Sequence, residues 1–170
     1  MKNGIFNLIA GDMRAKAKWV YGDMSRKAVV KAFLTDGSAA MLWYRFMQVS
    51  QQIGLKPLAM IFNKINSIFC GCVIGRGAIF GDGFVLVHSN GVVINSKVIG
   101  GKNILVEHGV TIGEEKGAAP VLGDNIFIGA GAKIIGGVVI GSNAKIGANA
   151  VVVKDVPEGA TAVGVPARVV

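Results

Sequence analysis

A chain of 170 residues with 52% hydrophobic residues, only 7% aromatics and 25 glycines is aliphatic and turn-rich. It is long enough to bury a sizeable core, and the composition excludes an ordinary helical bundle for the whole chain. The net charge of +8 falls almost wholly on residues 1–66, which carry +7 against +1 for residues 67–170; with no interleaved aromatics, that excess does not describe a nucleic-acid partner.

In chain order, the first element expected is an amphipathic helix on the apolar run Gly4–Ala10, closed by Asp12. That run is too short to span a membrane and lacks the cleavage site of a signal peptide. A short helix follows from Ser25 to Leu34. Ser38 is placed to cap a third, which runs to about Ile53 with Leu42, Phe46, Val49 and Ile53 on its buried face and Gly54 as its stop. Pro57 opens a fourth, with Leu58, Ile61, Phe62 and Ile65 as its stripe. The chain thus divides into an α-helical region, 1–66, and a second region, 67–170. Cys70 and Cys72 are too few for a disulfide framework and lack the second pair a cysteine metal site needs, so a reduced, cytoplasmic setting without metal is expected.

From about residue 73 the period becomes six. Leu122, Ile128, Ile134, Ile140, Ile146 and Val152 fall at unbroken six-residue steps, and Ile74, Phe80 and Leu86 keep the same step upstream. Neither a helix of 3.6 residues per turn nor a strand of period two produces this. A coil with flat faces does, with one aliphatic pointing inward per face and small residues at the corners. Two residues are in excess between Leu86 and Ile94, and four between Ile112 and Leu122, where GEEKGAAPV should project as a loop. Gly100 departs from the aliphatic rule.

The only two histidines, His88 and His108, each stand two positions after an inward residue, Leu86 and Val106. Counting therefore stacks them on successive coils. A neutral imidazole at ordinary pH can take a proton from an attacking hydroxyl, and such help supplies about 10²–10⁴-fold. For such a step His88 is the expected base and His108 its support. Ser89, Asn90 or backbone N–H groups are candidates to steady the oxyanion.

The six-residue pattern and the ending KDVPEGATAVGVPARVV resemble the hexapeptide-repeat acyltransferases. The resemblance implies a mainly β fold, a left-handed parallel β-helix with an α-helical N-terminal region, assembled as a homotrimer with acetyl-CoA as donor. It assigns the CoA contacts to Gly113, Ala130, Ala148, Lys154 and Arg168. Serine acetyltransferases are similar over nearly the whole chain, including Trp43-Tyr44-Arg45 and the histidine of VHSNG. However, three polar positions of their pattern are apolar here, at Val73, Val87 and Ala119. HSNGVVIN, EHGVTIG and Pro120-Val121-Leu122-Gly123 resemble the bacterial exopolysaccharide O-acetyltransferases, such as the colanic acid enzymes. The acceptor implied is a sugar hydroxyl, on a small or lipid-linked saccharide. The basic excess of residues 1–66 leaves open an anionic lipid surface at the inner membrane, a phosphorylated substrate, or neither. Serine O-acetylation and an inactive β-helix scaffold are the alternatives.

Overall fold

The computed structural model describes residues 4–170. Four helices come first: α1 (Ile5–Tyr21), α2 (Arg26–Phe33), α3 (Ser38–Gln52) and α4 (Lys56–Cys70). The Ser25 hydroxyl accepts from Ala28 N–H at 3.3 Å and so caps α2. Gly37, at φ +76°, takes the cap position of α3 instead of Ser38, whose hydroxyl donates to Ala32 O. The boundary expected at 66 falls inside α4, which continues through Cys70 until Gly71 turns left-handed.

Short strands then wind in threes. The first coil holds β1 (Val73–Ile74), β2 (Ile79–Phe80) and β3 (Val85–Leu86); the second holds β4 (Val93–Ile94), β5 (Ile99–Gly100) and β6 (Leu105–Val106). The third holds β7 (Thr111–Gly113), β8 (Val121–Leu122) and β9 (Phe127–Ile128). The fourth holds β10 (Lys133–Ile135), β11 (Val139–Ile140) and β12 (Lys145–Ile146). β13 (Val151–Val152), β14 (Thr161–Val163) and β15 (Arg168–Val169) close the prism, β15 turning back antiparallel on β14. Strands three apart pair in parallel, and β14 pairs directly with β12, giving face A (β1, β4, β7, β10, β13), face B (β2, β5, β8, β11) and face C (β3, β6, β9, β12, β14). The fold is a left-handed parallel β-helix behind a helical cap.

The register confirms the counting. Val73 pairs with Val93, twenty residues on, and Thr111 with Lys133, twenty-two on, whereas the other steps on face A are eighteen. The four-residue excess is a tight hairpin in which Glu115 and Ala118 exchange both backbone hydrogen bonds. Lys97 ties it to the preceding coil through Gly117 O and Glu114. Gly100 is small because the Phe80 ring of the coil below fills the space a Cβ would need.

The first coil has no coil before it, and cap side chains take the missing partner's place. Ile74 O on face A accepts from Asn63 Nδ2 at 2.7 Å, Phe80 O on face B from Arg45 Nη1 at 2.8 Å, and Leu86 O on face C from Lys16 Nζ at 2.9 Å. Arg45 is fully buried and pairs with Asp12, whose Oδ1 also accepts from Gly83 and Phe84 N–H. Burial pushes the Asp12 carboxyl above its ordinary value, against the hydrogen bond and charge of Arg45. Asp12 therefore anchors α1 to the coil. The buried face of α3 differs accordingly: Met41, Tyr44, Arg45 and Gln48 point inward, and Ile53 is exposed. In α4 only Ala59 and Asn66 are fully buried, while Leu58 and Ile61 remain exposed.

Candidate active site

Leu86, Val106, Ile128 and Ile146 are in register on face C. The residues two positions later, His88, His108, Ala130 and Ala148, therefore form one column along the edge between faces C and A. The edge turns are tight. Gly91 has φ +72°, and a Cβ there would lie 3.4 Å from Gly109 Cα on the next coil. Gly131 N–H donates to His108 O and Asn149 N–H to Ala130 O, both at 2.8 Å, which fixes the spacing of the column.

The two imidazoles meet with ring centres 6.0 Å apart and planes at 70°. Both rings are more than half exposed and so open to solvent. His88 Nδ1 lies 3.2 Å from Asp36 Oδ2, and His108 Nδ1 lies 3.9 Å from Glu107 Oε2. Asp36 belongs to the turn between α2 and α3. Lys16, buried on α1, donates to Asp36 O, Leu86 O and Val87 O. Burial pulls its ammonium down to about 8, partly offset by the charge of Asp36.

Ser89 does not serve as an oxyanion donor. Its hydroxyl is buried and donates to Cys70 O at 2.8 Å, fastening the end of α4 to the edge. The Cys72 thiol is buried and pushed up to about 12 by that burial, so it is no nucleophile. A cavity of about 610 Å³ lies under α1, lined by Arg14, Lys18, Trp19 and Phe127 among others, but neither histidine reaches it.

Of the residues assigned to CoA, Ala130 and Ala148 continue the histidine column. Arg168 lies at its far end, on the strand that folds back beside Val163. Gly113 and Lys154 stand apart from the column. Gly113 ends β7 on face A, where a Cβ would meet Ile135 Cδ1 at 3.0 Å. Lys154 follows β13 at the corner leading away from face A, exposed to solvent. Asp36, Lys16 and Glu107 were not singled out by the sequence. Glu107, beside His108, could have been. For Lys16 the one available signal was its position four residues after Asp12 on an otherwise apolar helix face.

The left-handed parallel β-helix is the fold that the six-residue repeat implies. Residues 119–154 match the family described as bacterial transferase hexapeptide (six repeats). The serine acetyltransferase of Synechocystis sp. is 42% identical over 81% of this chain and 57% of its own length. That of Mycobacterium tuberculosis is 36% identical over 94% of this chain and 71% of its own. The crystal structure of Neisseria gonorrhoeae serine acetyltransferase superposes with a TM-score of 0.89 at 35% identity, covering 98% of this chain and 66% of that one. A serine acetyltransferase in complex with CoA superposes at 0.88 and 32% identity, covering 98% and 69%. The chain belongs to the serine acetyltransferase family of acyltransferases.

These relatives overturn the expected sugar acceptor. That expectation rested on HSNGVVIN, EHGVTIG and Pro120-Val121-Leu122-Gly123, and on Val73, Val87 and Ala119, apolar where the serine acetyltransferase pattern is polar; the relatives outweigh both. A lipid-linked saccharide and a contact of the basic helices with the inner membrane find no support among them. Among the described residues, no helix is long and apolar enough to cross a membrane.

Proposed function

We propose that this chain transfers the acetyl group of acetyl-CoA to the hydroxyl of serine, with His88 as general base. The observation that carries the reading is the edge column, two imidazoles meeting edge to face on successive coils and continued by two methyl-sized positions, in a member of this family. The hydroxyl attacks the thioester carbonyl while the ring takes its proton; the C–S bond then breaks and the CoA sulfur receives that proton. His108, 6.0 Å away, helps to orient the acceptor. Ala130 and Ala148 leave room for the pantetheine arm, and Arg168 suits a nucleotide phosphate because its guanidinium pairs with phosphate in a bidentate fork. CoA in the structure of a relative supports this donor.

We also assign the chain to a homotrimer. Ile79, Ile99, Val121 and Val139 form an outward aliphatic ladder on face B, each 44–52% exposed. Such a contiguous apolar strip favours association with other copies. The reading is tested by following CoA thiol release from acetyl-CoA with purified protein. Release that requires serine is expected; release unaffected by serine would remove the acceptor assignment.

A further inference from the structure

The coil that carries His88 supplies no carboxylate beside it, since its chain neighbours are Val87 and Ser89. The cap supplies one. Asp36 Oδ2 lies 3.2 Å from His88 Nδ1, across fifty-two residues of sequence. The turn bearing Asp36 is fixed from several sides. The hydroxyls of Thr35 and Ser38 both donate to Ala32 O, at 2.7 and 2.6 Å. Gly37 sits at φ +76° so close to Leu86 O that a Cβ would collide with it. Lys16 Nζ gathers the carbonyls of Asp36, Leu86 and Val87, joining this turn to the strand end that leads into His88.

We propose that Asp36 is the positioning residue for His88, and that Lys16 holds it there, so that the helical cap completes the catalytic edge. This rests on the reading of His88 as the base. An ionised carboxylate only accepts hydrogen bonds, so the contact requires the hydrogen on Nδ1. The lone pair of the neutral ring is then on Nε2, aimed at the acceptor, because the partner of one ring nitrogen sets the state of the other. As the serine Oγ attacks the thioester carbon, Nε2 gains its proton and Asp36 faces the resulting imidazolium. Loss of the C–S bond returns that proton to the CoA sulfur, and the ring ends as it began. The other charged groups nearby are Lys16, Glu107 and, when protonated, His108.

With only two histidines in the chain, nitrogen NMR of ¹⁵N-labelled protein resolves the two rings, and His108→Gln assigns them. The neutral His88 ring is expected to carry its hydrogen on Nδ1, and Asp36→Ala is expected to move it toward Nε2. In rate measurements Asp36→Ala should lower kcat about tenfold, less than the roughly 10²–10⁴-fold of a lost general base, with KM for acetyl-CoA unchanged. Asp36→Asn, which keeps an accepting oxygen, should restore part of the rate, and Lys16→Met should fall between. A wild-type His88 ring with its hydrogen on Nε2, or an Asp36→Ala enzyme with the wild-type ring state and kcat, overturns the proposal. If the wild type does not use serine at all, the functional reading fails separately, and the ring state still decides the role of Asp36.

Discussion

The β-helix and the helical cap solve the same problem with different chemistry. In the coils, inward side chains are aliphatic or small, with the rings of Phe80 and Phe84 in the first coil, and backbone groups find partners on the coils above and below. In the cap, the face toward the first coil is built from buried Asp12, Lys16, Tyr44, Arg45 and Gln48. Each of them bonds backbone of the first coil. A solenoid end leaves carbonyls and N–H groups without a neighbour, and a buried orphan is costly. A helix cannot supply a ladder, so polar side chains on helix faces stand in for the absent strand. The same arrangement carries Asp36 to His88.

Breaking the cap's polar latch should have the largest effect. Asp12→Ala leaves Arg45 buried without its carboxylate and should cost about 3–5 kcal/mol, read from the urea unfolding midpoint. A loss typical of a surface change would show that the pair does not hold cap and coil together. In the coils the corresponding change is a core truncation. Ile134→Ala, in the middle of face A, should cost about 2–5 kcal/mol by loss of burial and cavity formation.

A third comparison uses pH. The ammonium of Lys16 titrates at about 8 in the folded chain against an ordinary 10.5. Between those values the unfolded chain binds more protons, so this residue makes stability rise with pH through that window. At about 1.4 kcal/mol per unit the whole rise is about 3 kcal/mol. Lys16→Met should remove it, and an unchanged slope would place the Lys16 amine in a wetter setting. The smallest effect is expected on the coil exterior. Asn125 bonds Asn103 and Asn143 along an exposed ladder at φ +57°. Asn125→Gly keeps that backbone accessible and should change stability by about 0.5 kcal/mol; a loss above about 2 kcal/mol would show that the amide ladder is structural.

The two regions were unequally legible. Six-residue steps set the coils, both insertions and the stacking of His88 on His108, because each face repeats one local rule. In the cap, hydrophobic spacing selected Leu42, Phe46, Val49 and Ile53 as the buried face of α3. The face that packs on the coil is instead Met41, Tyr44, Arg45 and Gln48, since its task is to satisfy backbone. Asp36 was invisible for a related reason. Nothing periodic links it to His88, and reading Val73 and Val87 as lost polar groups turned the acceptor toward sugars. The helix starts shifted by one residue where Gly37, rather than Ser38, met the close approach of Leu86 O.

The most direct measurement compares serine-dependent CoA release by the wild type and by His88→Ala, with circular dichroism to confirm an unchanged fold. Loss of at least about 100-fold in kcat with the β-helix intact is expected. Near-normal turnover in that variant would mean that the edge where the two imidazoles meet is not where the acetyl group moves.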